Sequence, residues 1–205
     1  MTVTAALFDF GGVILSSPFD AFARYELDHD LPVDFIRSVN ATNPDANAWA
    51  RLERNEVDLD GFASAFEGES EALGHRVPGW DVLGLLAGDV RPEMVEAVRR
   101  CGARLKTALL TNNVTGMEFN PAMAEIMALF DVVVESSVVG VRKPDPEFYE
   151  IACARLNIEP NQAVFLDDLG INLKPARAMG MHTIKVGDPA IAIAELEAIV
   201  GFALG

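Results

Sequence analysis

Five short apolar runs, at residues 3–8, 105–110, 132–134, 163–166 and 183–186, punctuate the chain, each followed by turn or polar residues. Continuous apolar runs of this length fit strands buried on both faces, as in a parallel sheet. Between the later runs the apolar positions switch to helical spacing. Met94, Ala97, Val98 and Cys101 recur at helical intervals, Phe148, Ile151, Ala152 and Leu156 follow a similar stripe, and NPAMAEIMALF precedes the third run. Strand alternating with helix predicts an α/β fold: a Rossmann-like, three-layer core with helices on both faces of a parallel sheet. Right-handed crossovers then bring the loops after the strands to one common edge.

The stretch 16–88 breaks this alternation. It has no strand-like run but several helical stripes: Phe19, Phe22, Ala23; Val33, Ile36; and Leu59, Phe62, Ala63, Phe66. Asp58 before Leu59 fits an N-cap, and breaks fall at Pro32, Asn43–Pro44 and Pro78–Gly79. The pattern predicts a core of residues 1–15 and 89–205 with a helical cap, 16–88, inserted after the first strand. The apolar tail PAIAIAELEAIVGFALG reads as a closing helix packed on the sheet.

Composition narrows the function classes. The chain has 205 residues, half of them hydrophobic, which is enough apolar material for a folded core. With 31 acidic against 16 basic residues its formal charge is −15, which argues against a nucleic-acid partner. Two cysteines, Cys101 and Cys153, are too few for a disulfide framework or a Cys-based zinc site and read as buried core residues. The apolar start MTVTAALFDFGGVIL lacks a basic leader and carries Asp9 in its middle, so neither a secretion signal nor a membrane span is expected. The expected location is the reducing cytoplasm.

The polar residues at the predicted strand ends carry the chemistry. Asp9 follows AALF, Thr111 and Asn112 follow TALL, Asp167 and Asp168 follow AVFL, and Lys143 lies in VGVRKPDP after the third run. A lone Asp after a strand is ordinarily a turn residue, and an Asp pair opening a helix is ordinarily a cap. Their ordered recurrence at successive strand ends is a different matter, because a parallel sheet gathers these ends into one crevice. Three carboxylates, a hydroxyl, an amide and an ammonium suit a hard cation and a phosphoryl group. Magnesium takes few carboxylates and keeps water and phosphate oxygens as its other ligands. One carboxylate remains to attack phosphorus.

In these same segments the chain resembles the haloacid dehalogenase-like hydrolases, in the branch with a helical cap after the first strand. FDFGGVIL, LLTNN, VRKPDPEFY and FLDDLGINLKPARAMGM match the family's four motifs. The last is especially similar to the phosphatase-type N-terminal domain of soluble epoxide hydrolases and its bacterial relatives. No G-x-S-x-G elbow is present, so no epoxide-hydrolysing domain is expected in these residues. The resemblance implies that Asp9 is the nucleophile and a magnesium ligand, and that Gly11 offers its backbone carbonyl to the metal. It makes Asp168 the direct carboxylate ligand, Asp167 a ligand or a support behind it, and Asn172 the residue that helps fix that loop. Thr111 and Asn112 would bind phosphoryl oxygens, and Lys143 would pair with both Asp9 and a small phosphorylated substrate.

One position departs from the pattern. Phosphatases of this family usually carry D-x-D in the first motif, the second Asp serving as general acid and then base, and here Gly11 stands there. Such help is worth roughly 10²–10⁴-fold. The departure implies a slower phosphatase, one selective for good leaving groups, or one taking an acid from the cap. Two alternatives follow: a catalytically weak binding or regulatory protein, and a metal-free 2-haloacid dehalogenase. The dehalogenases resemble one another in replacing the acidic pair with Ser-Ser-Asn and in an aromatic where Gly11 stands, and DDLGIN is the phosphatase form. In the cap, Arg24, Arg37, Arg51, Arg54 and Arg76 read chiefly as partners of nearby acids, and Trp49 as cap core.

Overall fold

The computed structural model describes residues 2–115 and 121–204. The five apolar runs form one all-parallel sheet, with β1 Ala5–Phe8, β2 Lys106–Thr111, β3 Val132–Glu135, β4 Ala163–Asp167 and β5 His182–Lys185 in the order β3-β2-β1-β4-β5. The second and fourth strands run to Thr111 and Asp167, so these two residues belong to the strands rather than following them. Parallel pairing continues until the chain must leave the ladder, one residue beyond the last apolar position.

Strand alternation sorts the core into two layers. Ala6 and Phe8 face one side with Leu109, Leu166 and Ile184, against α6 (Pro92–Gly102) and α11 (Pro189–Val200). Ala5 and Leu7 face the other with Leu110 and Phe165, against α9 (Pro146–Leu156) and α10 (Gly170–Ala178). α6 buries Met94, Ala97, Val98 and Cys101 as expected. α9 turns slightly from the expected stripe: Phe148, Tyr149, Ala152, Cys153 and Leu156 are buried and Ile151 only partly. The Tyr149 hydroxyl can enter the core because it donates to the Asn172 carbonyl at 2.7 Å. The segment before the third strand forms α7 (Pro121–Met127), the short α8 (Ser136–Val139) follows β3, and both cysteines are free and buried.

Between β1 and α6 lie α1 (Pro18–Asp28), α2 (Phe35–Ala41), α3 (Ala48–Glu53), α4 (Leu59–Ala72) and α5 (Gly79–Gly84). They close on their own apolar cluster, which includes Phe22, Ile36, Leu52, Phe62, Phe66 and Val82. Asp58 caps α4, accepting from the Gly61 N–H at 2.8 Å. The chain leaves and returns at one place, where Leu15 bridges Val90, and Ser16 N–H donates to the Asp89 carbonyl at 2.8 Å. Among the described residues no helix is long and apolar enough to cross a membrane.

The register sets the site. Phe8 stands opposite Leu109 on one side and Leu166 on the other, so Asp9, Thr111 and the Asp167–Asp168 pair emerge at one edge. The chain runs from β1 to β2 and β3 on one side, and then crosses to β4. β1 and β4 therefore flank the point where strand order reverses and the crevice opens.

Candidate active site

Asp9 directly follows β1 with its carboxylate turned back on the chain: Oδ1 accepts from the Phe10 N–H at 2.6 Å. Lys143 Nζ lies 2.7 Å from the same oxygen and 2.9 Å from Asp167 Oδ2, with 2 % of the lysine exposed. Burial disfavours the ammonium, but Asp167 and Asp9 outweigh it and hold Lys143 above its usual pKa.

Asp167 is saturated. Oδ1 accepts from the Leu169 N–H at 2.8 Å and from Asn172 Nδ2 at 3.1 Å, and Oδ2 accepts from Lys143 and, at 3.0 Å, from Asn172. Its neighbour Asp168 is spent on much less, a 3.3 Å bond from the Ser17 hydroxyl. Burial and the charge of Asp167 push the Asp168 carboxyl up to about 6, against the pull of Lys143. Burial likewise raises Asp9, with Lys143 opposing and Asp167 and Asp168 adding to the rise.

Oxygens of Asp9, Asp167 and Asp168 lie within 4.8 Å of one another. Three carboxylates thus share one ammonium in a buried space, a deficit that a divalent cation would fill. The donors are all hard oxygens, as magnesium prefers. The residues fit that ion, with Asp9 and Asp168 free to ligate and Asp167 committed to holding Lys143 and Asn172.

Thr111 is buried at the end of β2. Asn112 is occupied differently from a simple phosphoryl ligand. Its Nδ2 donates to the Lys143 carbonyl at 3.0 Å, and its Oδ1 accepts from the Lys143 N–H at 2.9 Å. The side chain therefore clamps the lysine's backbone.

Three residues outside the motif reading complete the site. Gly12 has φ +73°, and a Cβ there would stand 2.2 Å from Asp168 Oδ2. Gly11 beside it is extended (φ −67°, ψ 135°), with nothing within 4 Å of a Cβ. Arg91 donates to the Gly12 carbonyl at 2.6 Å, tying the returning chain to the Asp9 loop. Glu53, the last residue of α3, is buried and bonds Arg142, while Trp49 Nε1 donates to it at 2.9 Å and Asn112 Nδ2 at 3.3 Å. Burial raises the Glu53 carboxyl and Arg142 restrains the rise. The Gly-Gly pair after Asp9 was a readable signal for Gly12. Glu53, in RLERNE, had none, since charged stretches are ordinarily solvated. Of the arginines in the helical insertion, Arg37, Arg54 and Arg76 pair with Asp34, Glu56 and Glu67, and Trp49 packs edge-on against Phe62 at 5.3 Å.

Comparison with known proteins bears on this geometry. A family model described as haloacid dehalogenase-like hydrolase matches residues 3–180. The chain is 37% identical to acyl-CoA dehydrogenase family member 10 of Mus musculus over 98% of its own length and 19% of the relative's. To bifunctional epoxide hydrolase 2 of Mus musculus it is 31% identical, over 98% of its length and 39% of the relative's. The chain therefore spans well under half of these two relatives. It is 24% identical to sesquiterpene phosphatase astK of Aspergillus oryzae, over 98% of each chain. Its fold matches that of a HAD family enzyme of Bacteroides thetaiotaomicron crystallised with magnesium and inorganic phosphate. The TM-score is 0.59 at 17% identity, covering 91% of this chain and 96% of that one.

Proposed function

The chain belongs to the haloacid dehalogenase-like hydrolases, and on that footing we propose that it is a magnesium-dependent phosphatase acting on a small phosphorylated metabolite. The observation that carries this reading is Asp9 paired with Lys143 at 2.7 Å, beside the lightly engaged carboxylate of Asp168. In this reading residues 1–15 and 89–205 are the core and 16–88 the cap that closes over the crevice.

An Asp9 carboxylate oxygen attacks phosphorus, the bond from phosphorus to the leaving oxygen breaks, and the product is an aspartyl-phosphate. Water then attacks that phosphorus, the bond from phosphorus to the Asp9 oxygen breaks, and the Asp9 carboxylate is restored as phosphate leaves carrying the water's oxygen, the surplus proton passing to phosphate or solvent. Lys143 opposes the rise that burial imposes on Asp9, favouring its ionised form, and balances charge on the transferring oxygens. Thr111 and the Asn112 N–H hydrogen-bond those oxygens. Magnesium, held by Asp9, Asp168 and the Gly11 carbonyl with Asp167 behind them, would supply the remaining positive charge. Gly11 offers no proton to the leaving group, so esters of acidic alcohols are the favoured substrates.

The acidic pair Asp167–Asp168 weighs against metal-free dehalogenation, since that chemistry needs no cation. The buried free thiols of Cys101 and Cys153 fit a reducing compartment, and we place the enzyme in the cytoplasm. The test is phosphate release from a panel of phosphorylated metabolites with and without magnesium, alongside halide release from 2-chloropropionate. Magnesium-dependent phosphate release is expected. Halide release without metal would replace this reading, and neither activity would leave a binding protein.

A further inference from the structure

Lys143 is positioned through its backbone, because Asn112 clamps both its N–H and its carbonyl. The same Asn112 Nδ2 also donates to Glu53 Oε2, which comes from the helical insertion. Arg142, next to Lys143 in the chain, bonds that oxygen too, and its Nη2 donates to the Pro44 carbonyl at 2.9 Å. Trp49 donates to the other oxygen of Glu53. Three donors therefore converge on one buried carboxylate, two from the sheet domain and one from the insertion. No acceptor among these partners could take a proton from it, which is the setting of an anchoring anion rather than of a proton donor.

We propose that Glu53 is a positioning residue supplied by the cap: it fixes Arg142 and Asn112, and through them the segment that brings Lys143 to Asp9. The inference rests on the reading of Lys143 as the nucleophile's counter-ion and of the insertion as a cap. It means that the core alone does not complete the catalytic array. Docking of α3 does, so Lys143 is fully placed only when the crevice is covered. Bound substrate and an ordered lysine then go together, and an uncovered site keeps a looser Lys143.

Hydrogen exchange of the metal-free 205-residue chain tests the coupling without relying on any activity. Peptides spanning residues 140–146 are compared in wild type, Glu53→Gln, Arg142→Met and the double variant. Exchange at the Lys143 amide should accelerate by roughly tenfold or more in Glu53→Gln, with β1 and β4 unchanged. The double variant should add little to either single one, because the two residues act as a unit. With magnesium and p-nitrophenyl phosphate, kcat should fall roughly 10- to 100-fold while KM barely moves. If Glu53→Gln does not fold, Arg142→Met breaks the same link from the core side. Unchanged exchange at Lys143, or unchanged kcat in an active enzyme, overturns the proposal. So does a Glu53→Gln defect that deepens with poorer leaving groups at unchanged exchange, which would make Glu53 a proton donor. Altered exchange in a protein that hydrolyses no phosphate ester would uphold the positioning and sink the phosphatase reading instead.

Discussion

A methyl group on Gly12 would lie 2.2 Å from Asp168 Oδ2, so the loops after β1 and β4 meet at a point where no side chain fits. Gly11, one residue earlier, has an extended backbone and open space around it. Two adjacent glycines thus have opposite standing. One is required by the approach of a carboxylate, and the other is free to carry a side chain.

Gly12→Ala should therefore be destabilising on two grounds. Its φ of +73° strains any L-residue by roughly 1–2 kcal/mol, and the new Cβ must displace Asp168. A drop in Tm of several degrees is expected for a chain of this size, together with loss of the magnesium response. Gly11→Ala should stay within about 0.5 kcal/mol of wild type. Parallel thermal melts measure both, and equal effects at the two positions would refute the contrast.

The metal reading makes its own demand on stability. Asp9, Asp167 and Asp168 crowd one ammonium, so a cation that binds only the folded state should raise Tm by mass action. At a hundredfold excess over Kd the gain is about 2.7 kcal/mol. Asp168→Ala should lose most of it, while Asn172→Ala should lower stability without metal because it strips both Asp167 oxygens of a donor. Differential scanning fluorimetry against magnesium concentration is sufficient. A wild-type protein indifferent to magnesium in both stability and activity would remove the ion from the scheme.

The strands and the converging polar residues were legible because burial on both faces leaves a continuous apolar run, and because chemistry sits where such runs stop. Asp9, Lys143 and the Asp167–Asp168 pair could be read from that rule alone. Division of labour within the pair could not. Asp167 is committed to Lys143, Asn172 and the Leu169 N–H, which depends on how α10 folds back on β4. Nor could the local pattern reveal that the Asn112 side chain is spent on Lys143, since that clamp joins residues 31 apart. Glu53 was hidden for the same reason: its partners Asn112 and Arg142 lie 59 and 89 positions away. Local patterns reveal what a residue's own element requires, and long-range polar partners are invisible to them.

Asp9→Asn should abolish phosphate release and leave the fold intact. An amide cannot attack as a carboxylate does, and it binds a hard cation less well. Lys143 keeps Asp167 as its partner at 2.9 Å, and one of the mutually repelling carboxylates is gone. The metal-free variant should therefore melt no lower than wild type. Retained turnover above roughly 1% of wild type, well beyond what loss of a nucleophile normally leaves, would take Asp9 out of that role.

The strongest test lies at Gly11. Without a proton donor there, the leaving oxygen must depart as an alkoxide, so the rate should fall steeply as the alcohol becomes less acidic. Aryl and acyl phosphates should be hydrolysed much faster than alkyl phosphates of similar size. Gly11→Asp is sterically permitted, since the backbone is extended and nothing lies within 4 Å of the new Cβ. The added carboxyl should flatten the dependence on the leaving group, with gains approaching roughly 10²–10⁴-fold for the poorest ones and little for aryl esters. The comparison is a plot of log kcat/KM against leaving-group pKa for both proteins. A wild-type slope already near zero, with the chemical step rate-limiting, would show that another group donates the proton.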